Sequence, residues 1–424
     1  MSEEVKKIPG KRWLHVIPPC ILIYIFSYMD RTNIGFAMAG GMSAELNMTA
    51  SISGLAAGIF FIGYLFLQVP GGDLAERGYA KKFIAICILL WSGISIVNGF
   101  VESVTQLLVV RFILGFVEGG VWPAVMVIIS HWFPQKERGL ANSCFIMVLA
   151  ISSIVTGPIS GWLVTMFNWR YLFIIEGCVS LLLIFAWWPL IDENPQSAKW
   201  LSKEERDYLV TTLAEEQKSI SKDAGHVSFK QVIGNLDMWK LILIYFASTV
   251  GLYGFAMWLP TILKNLTSSG MAQIGLLSTL PYFAMMLGLY VFGRLSDKSG
   301  NRKKYVVIPY MGIAICFLIS NFLRDYTWVS FAFLVAVGFF LQSACGSFWT
   351  IPTMLFPSNV AGAGMGLINA LGNLGGFFGP FIVGFLTTQF NSIYVGTYFV
   401  VVTMIVGALI AMSLPKKTEG KCND

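Results

Sequence analysis

Two charged side chains lie inside one long apolar stretch of the sequence. Arg111 and Glu118 are seven residues apart in the run 106–130, which is long and apolar enough to cross a membrane as a helix. Two helical turns separate them, so both side chains lie on the same helix face. A charged side chain at the centre of a spanning helix costs roughly 2.5–3.5 kcal/mol, so it is retained where it faces a protein interior or a water-filled path. We identify charges well inside one other apolar segment, where Asp30 and Arg31 are adjacent. We expect the chain to be organised around these four residues.

The composition is that of a polytopic membrane protein. Of the 424 residues, 56% are hydrophobic and 12% are charged, whereas a soluble domain has about 25% charged residues. The seven cysteines show no spacing typical of a metal site or a disulfide framework, so we expect no bound metal. We find no nucleotide-binding loop and no pairing of a nucleophile with histidine, so we expect neither an enzyme nor a cofactor. The net charge of +6 does not indicate nucleic-acid binding, because the basic residues follow the membrane topology.

Apolar stretches of spanning length recur along the chain and predict an all-α protein with twelve transmembrane helices. One long polar stretch, 192–238, separates residues 1–191 from residues 239–424 and predicts two six-helix bundles joined by a central loop. Ser202 precedes acidic residues and predicts the start of a short surface helix within that loop. The predicted spans are 14–37, 50–71, 82–101, 106–130, 139–163, 170–191, 239–263, 273–293, 304–323, 327–353, 361–387 and 393–414.

The distribution of basic residues predicts the orientation. Of the 29 Lys and Arg residues, 24 fall on the side of the N-terminus and only Arg170, Lys264 and Arg324 fall in the opposite loops. Cytoplasmic segments carry such an excess. We therefore expect both termini and the central loop to be cytoplasmic.

Short motifs repeat between the two halves. The segment 72–77 recurs as 293–298, Phe133-Pro134 recurs as Phe356-Pro357, and Gly157-Pro158 recurs as Gly379-Pro380. All three offsets lie between 221 and 223 residues. Such a constant spacing indicates a parallel duplication of a six-helix unit.

These features resemble the major facilitator superfamily, and several motifs resemble its anion:cation symporter family. That family includes carriers of aldonates, hexuronates, tartrate, aromatic acids and, in animals, sialic acid and glutamate. One departure is Glu76 in the first inner-loop motif, where the family usually has Asp. The motifs that carry the resemblance are 28–35 (YMDRTNIG), 68–72 (QVPGG), Arg111-x6-Glu118, 132–138 (WFPQKER) and Tyr253-x4-Trp258-Leu259-Pro260.

A carrier of organic anions requires a fixed positive group, and a guanidinium group offers two parallel donors to a carboxylate. Arg31 and Arg111 are therefore the candidate anion contacts. The alternative is that Arg111 only neutralises Glu118 and that Arg31 only neutralises Asp30.

Proton coupling requires a carboxylate whose protonation responds to burial and to a neighbouring positive charge. Asp30 and Glu118 meet this description. The resemblance implies that acids at these two positions form the proton-coupling pair. The alternative is that either acid is a structural counter-ion.

Further polar side chains are candidates for holding the substrate. Tyr64 lies four residues before Gln68 on one helix face, and the resemblance implies that a tyrosine there contacts substrate, although a packed core tyrosine has the same pattern. Asn369 and Asn373 are likewise four apart, in a glycine-rich run, and are candidates for binding hydroxyl groups or for joining helices. The candidates in the C-terminal half are Tyr253, Ser347, Trp349, Asn369 and Asn373.

Charged pairs in the inner loops are candidates for gating. We expect them to hold the inward end shut, and the alternative is that their charges only set the topology. These pairs are Glu76/Arg77, Glu137/Arg138 and Asp297/Lys298.

The sequence therefore predicts a proton-coupled symporter that imports a small organic carboxylate, such as a sugar acid, by alternating access. The alternatives are an organic-anion facilitator or exchanger without proton coupling, and a sensor built on a transporter fold. The expected partners are the organic anion, protons and the lipid bilayer. We expect a monomeric multi-pass protein in the inner (plasma) membrane of a bacterium.

Overall fold

A computed structural model describes residues 10–223, 234–356 and 358–419, with side chains described outside 217–223 and 358–363. Within these residues the secondary structure is helical and contains no strand. Eleven continuous helical runs are long and apolar enough to cross a membrane. This confirms the predicted all-α, multi-pass architecture.

One of the eleven runs, Ala50–Asn98, contains two spanning helices. Gly78 adopts φ 85°, in the left-handed region that favours glycine, and the helix is broken there. A Cβ placed on Gly71 would lie 3.1 Å from the ring of Phe83, whereas twelve residues of continuous helix would separate the two by about 18 Å. The chain therefore reverses at Gly78, and the described residues form twelve spans, as predicted.

The helices are longer than the predicted spans at several ends. The first helical run extends beyond residue 37 to Glu45, but it is kinked within Met38–Met42, where Gly41 has a non-helical φ of 120°. In chain order the spanning helices are α1 (Lys11–Glu45), α2 (Ala50–Leu74), α3 (Ala80–Asn98), α4 (Val104–Trp132), α5 (Gln135–Met166), α6 (Trp169–Leu190), α7 (Leu236–Thr267), α8 (Met271–Ser299), α9 (Lys304–Phe322), α10 (Thr327–Leu355), α11 (Ser358–Gly372 followed by Gly375–Phe390) and α12 (Ile393–Met412).

The packing repeats between the two halves, as the sequence motifs do. In the first half α2 packs on α4 and α3 on α6, and in the second half α8 packs on α10 and α9 on α12. The halves meet through α2 against α11 and α5 against α8, which are equivalent pairs under the repeat. Two six-helix bundles therefore form one molecule with an approximate twofold relation.

A linker helix, Lys203–Asp223, follows the first bundle and forms ion pairs and a hydrogen bond with it. The hydroxyl of Ser202 accepts a hydrogen bond from the Glu205 main-chain N–H at 3.2 Å, which confirms the predicted cap. Arg12 at the start of α1 lies between two carboxylates, 2.6 Å from Glu137 and 2.7 Å from Glu205. The first part of the central loop is thus fixed to the N-terminal bundle. We call the face that carries Lys11 and Glu419 the inner face, and the opposite one the outer face.

Close contacts between main chains seal the outer ends of the two bundles. A Cβ on Gly157 in α5 would lie 2.6 Å from the carbonyl oxygen of Gly275 in α8, and a Cβ on Gly58 in α2 would lie 2.7 Å from that of Phe377 in α11. Lys264 donates to the carbonyl oxygen of Ala39 at 2.6 Å across the same interface. Small residues therefore allow the helices to approach closely enough to shut the outer side.

Substituting Gly157 by valine should prevent this closure. The added side chain meets main chain, which cannot move aside, and overpacking costs about 1–3 kcal/mol. Because parting of the bundles relieves the clash, we expect the outward-open form to gain roughly tenfold to a hundredfold and uptake to fall accordingly. Accessibility of an engineered cysteine at the outer face measures the shift. Gly93→Val is the matched control, since a Cβ on Gly93 meets no atom within 4 Å; equal accessibility in both variants would contradict the role of Gly157.

Candidate functional site

The four charged residues expected at the centre of the protein are all buried. Arg111 and Glu118 are 0% exposed, Asp30 is 1% exposed and Arg31 is 2% exposed. Asp30 and Arg31 lie on α1 next to Asn33, and the other two lie on α4. None of the four lies on the surface that lipid would cover.

Arg31 lies where the two bundles meet. Its Nη1 donates to the Tyr253 hydroxyl of α7 at 3.3 Å, and its Nη2 lies 3.5 Å from Glu118 Oε2. The Glu118 contact is an ion pair without hydrogen-bond geometry, and within the described residues Arg31 Nε and Nη2 and Glu118 Oε1 have no hydrogen-bond partner. Glu118 Oε2 accepts a bond from the Ser27 hydroxyl at 2.9 Å. The guanidinium group thus retains donors that a carboxylate could use.

Aromatic rings surround the Arg31 guanidinium group. Its carbon lies 4.6 Å from the ring centre of Tyr64 and 5.2 Å from that of Phe60. Tyr28 and Tyr24 lie at 5.7 and 5.8 Å. Aromatic faces attract a cation in a desolvated place, so these rings help to stabilise the charge of Arg31 inside the protein. The structure therefore places Tyr64 beside the predicted anion-binding group.

Arg111 makes different contacts. Its Nη1 donates to the main-chain carbonyl of Asp30 at 3.0 Å and its Nη2 to that of Arg31 at 3.2 Å. The planar guanidinium group of Arg111 therefore donates in parallel to two main-chain carbonyls of α1 just before Asn33. In this conformation Arg111 fixes the segment that carries Asp30 and Arg31, and its anion contact remains a prediction.

Arg111→Lys should reduce both stability and uptake. Lysine keeps the charge but cannot donate in parallel to both carbonyls, and a hydrogen bond from a charged group is worth about 1.5–3 kcal/mol. We expect the protein to reach the membrane in normal amount, to unfold at a lower temperature without substrate, and to transport at least about tenfold more slowly. Thermal unfolding and initial uptake rates test this, with Arg324→Lys in an outer loop as control. Parental uptake in Arg111→Lys would show that the fork is not required.

A fifth embedded charge was missed in the sequence analysis. Glu176 lies in the middle of α6 and is 3% exposed. The statement that only Asp30 and Arg31 join Arg111 and Glu118 inside apolar segments is therefore wrong. The rule that found the other four also applies to Glu176, because the helix around it is as apolar as α4.

Asp30 belongs to a hydrogen-bonded chain that reaches Glu176. Its Oδ1 accepts bonds from the Ser95 hydroxyl at 2.8 Å and from Asn33 Nδ2 at 3.4 Å. The same Asn33 nitrogen donates to Glu176 Oε2 at 2.7 Å, and Glu176 Oε1 accepts from the Ser160 hydroxyl at 2.9 Å. Helices α1, α3, α5 and α6 thus contribute to one polar network.

Two candidates of the C-terminal half, Asn369 and Asn373, belong to a second polar group on α7 and α11. Asn369 donates to Gln68 Oε1 of α2 at 3.3 Å, and Asn373 Nδ2 donates to Asn369 Oδ1 at 3.1 Å. The Tyr245 hydroxyl donates to Asn369 Oδ1 at 3.4 Å. In this conformation the asparagines join helices, and their role in binding hydroxyl groups remains a prediction. Tyr245 was missed, although its spacing of eight residues from Tyr253 places both on one face of α7.

Ser347 and Trp349 lie on α10. Ser347 is 1% exposed and its hydroxyl oxygen has no hydrogen-bond partner among the described residues. The Trp349 ring packs edge-on against Tyr245 at 5.0 Å. Both candidates therefore lie next to the second polar group, and their contact with substrate stays a prediction.

In this conformation four of the six predicted gating residues form ion pairs, either within one half of the molecule or with the linker helix. Glu137 pairs with Arg12, and Arg138 lies 3.5 Å from Glu216 of the linker helix. The inner-loop motifs pair locally, with Arg77 on Asp73 at 2.7 Å and Asp297 on Arg302 at 2.6 Å. Glu76 and Lys298 are exposed. A pair that closes the inner face would form in another conformation, so the gating role remains a prediction.

Comparison with known proteins identifies one family. The family described as Major Facilitator Superfamily matches residues 20–380 and also 266–422. A protein of Agrobacterium vitis named "Putative tartrate transporter" is 31% identical over 98% of this chain and 96% of its own length. A "Quinolone resistance transporter" of Acinetobacter baumannii is 30% identical over 95% of this chain and 94% of its own.

The fold has solved counterparts. A bacterial homologue of the human lysosomal transporter Spinster, in an inward-facing and occupied conformation, aligns with TM-score 0.77 over 98% of this chain and 100% of that chain. The two sequences are 16% identical, so this likeness concerns the fold alone.

Proposed function

Because the chain belongs to the Major Facilitator Superfamily, we propose that it is a proton-coupled symporter that imports a small organic carboxylate by alternating access. The observation that carries this proposal is the buried guanidinium group of Arg31, which lies between the two bundles and has two nitrogen atoms, Nε and Nη2, without a hydrogen-bond partner among the described residues. A relative named for tartrate transport supports the same class of substrate.

Arg31 is arranged to bind a carboxylate from both halves of the protein. A substrate carboxylate that accepts two hydrogen bonds from Arg31 gains the strong bidentate geometry of such pairs. Tyr253 lies 3.3 Å from the same guanidinium group and belongs to the opposite bundle. A bound anion therefore interacts with α1 and α7 together and favours conformations in which the bundles are close around it.

Proton coupling follows from the contact between Arg31 and Glu118. An anion that engages Arg31 takes the place of Glu118 at the guanidinium group, 3.5 Å away. An ionised Glu118 would then lie in the membrane interior without a positive partner, which costs several kcal/mol. Binding a proton removes that cost, so anion and proton bind together and are released together. In this scheme Asp30 is the second coupling acid, as predicted.

Uptake into vesicles driven by a pH gradient tests the proposal. Purified protein in vesicles with an acidic exterior should accumulate tartrate or a sugar acid above its outside concentration, and a protonophore should abolish the accumulation. Flux that ignores the pH gradient would indicate the facilitator or exchanger, and binding without flux would indicate a sensor.

The relative named for quinolone resistance defines a second arm of the same test. A quinolone carries a carboxylate on a large aromatic frame, so it probes whether the site accepts bulk beside the charge. We expect quinolones to compete weakly with the small acid and not to be accumulated. Accumulation of the quinolone instead of the acid would overturn the proposed substrate class.

We further propose that the protein works as a monomer in the bacterial inner membrane with both ends in the cytoplasm. The excess of basic residues on the inner face supports this orientation. A reporter that is active only in the cytoplasm, fused after residue 424, should be active.

A further inference from the structure

The central cluster contains more acids than bases. Three carboxyl groups, Asp30, Glu118 and Glu176, share a buried hydrogen-bonded or ion-paired region with two guanidinium groups, Arg31 and Arg111. With all five ionised the cluster would carry one net negative charge inside the membrane. An uncompensated buried charge is costly, and a titratable group usually becomes neutral instead. One proton is therefore needed to make the cluster neutral.

The contacts distinguish which acid carries that proton. Glu118 lies beside Arg31, and the Arg111 guanidinium group lies against the main chain of Asp30, with 3.0 Å between Nη1 and the carbonyl oxygen. Glu176 has no Lys or Arg within 4.0 Å among the described residues. Its hydrogen-bond partners are the neutral Ser160 and Asn33, and Asn33 links it to a second titratable group, Asp30 of α1.

We propose that Glu176 holds this proton and, through Asn33, positions Asp30 for coupling. Asn33 Nδ2 donates to both acids, at 2.7 Å to Glu176 and 3.4 Å to Asp30. A neutral Glu176 allows Asp30 to be the ionised member of the pair, whereas two ionised acids sharing one amide would repel each other. The role in transport rests on the proposed function, but the location of the proton does not.

Infrared spectroscopy of the purified full-length protein tests the proton directly. A protonated carboxyl group has a C=O stretching band that an ionised carboxylate lacks, and the band moves in heavy water. We expect the parent protein to show such a band at neutral pH and Glu176→Gln to lose it. Glu102→Gln, at an exposed outer position, should leave the band unchanged. Absence of the band in the parent, or its persistence in Glu176→Gln, would overturn the proposal.

Two matched serine variants locate the proton without changing any charge. The Ser160 hydroxyl binds Glu176 and the Ser95 hydroxyl binds Asp30, at 2.9 and 2.8 Å. The C=O frequency depends on hydrogen bonding, so Ser160→Ala should shift the band and Ser95→Ala should leave it in place. The reverse result would assign the proton to Asp30 and reject the proposal. These small substitutions also keep the test open if Glu176→Gln fails to fold.

A second readout connects Glu176 with transport. Loss of its proton at alkaline pH gives the cluster a net negative charge, which opposes anion binding. Proton uptake by Glu118 on anion binding already makes the affinity depend on pH, so the apparent dissociation constant of the parent for the transported acid should rise by up to about a further tenfold per pH unit, the limit for one additional linked proton. Glu176→Gln should remove only this additional dependence and keep the one due to Glu118, and an identical pH profile in both proteins would contradict the positioning role. A parent that binds no organic acid would reject the proposed function and leave the infrared result to stand by itself.

Discussion

Replacing Arg31 by lysine should lower uptake of the anion by about tenfold to a hundredfold, while the amount of folded protein in the membrane should stay unchanged. Lysine keeps the positive charge but loses the planar fork and much of the stacking on the surrounding rings. One hydrogen bond from a charged group contributes about 1.5–3 kcal/mol, which corresponds to that range. The ring centre of Tyr64 lies 4.6 Å from the guanidinium carbon, so this packing contact is changed by the substitution.

The measurement compares initial uptake rates and substrate affinity in vesicles that contain equal amounts of protein. Arg324→Lys makes the same substitution at an exposed outer residue that stacks on Tyr394, and it should transport like the parent. Unchanged substrate affinity in Arg31→Lys would remove Arg31 from the binding site.

The second large effect concerns the coupling acids. Glu118→Gln should abolish accumulation driven by the pH gradient, so that the inside concentration of the anion only reaches the outside concentration. The amide can still accept the hydrogen bond from Ser27, and Arg31 loses its competing partner, so anion binding and exchange should persist. Asp30→Asn should also lose accumulation, because it removes the second acid.

Counterflow of labelled substrate separates exchange from accumulation in the same vesicles. At least one of the two variants should retain counterflow or measurable binding. Glu102→Gln controls for the removal of an acid elsewhere. Full accumulation in both Glu118→Gln and Asp30→Asn would reduce these acids to structural counter-ions.

Much of the fold was predictable because membrane helices are specified by local composition. The length of the apolar stretches, the excess of basic residues on one side and three repeated motifs were sufficient to predict the twelve helices and their division into two halves. The ends were less predictable, because helical residues can follow beyond the predicted apolar stretch, as they do in α1 after the kink at Gly41. The reversal at Gly78 has a local signal, since glycine tolerates a positive φ.

Most charged residues of the site could be predicted from the sequence, but the residues that they contact could not. Burying a charge is costly enough that Arg31, Arg111, Asp30 and Glu118 stand out in an apolar sequence, and Glu176 could have been found by the same rule. Partners far apart in the sequence have no such signal: Arg12 and Glu205 are 193 residues apart and meet only after the linker helix folds back. The Arg111 contacts could not be predicted either, because main-chain carbonyls carry no sequence information.

The outer seal is made by main chain, glycine, a threonine hydroxyl group and one lysine, and among the described residues no carboxylate takes part in its cross-bundle hydrogen bonds. An acidic exterior is the source of energy for a proton-coupled importer, and it acts on every titratable group that it reaches. A seal built from groups that do not titrate over the acid to neutral range keeps the same strength whatever the size of the driving gradient. In the proposed importer the gradient can then act through the buried acids without weakening the gate on the side where it is applied.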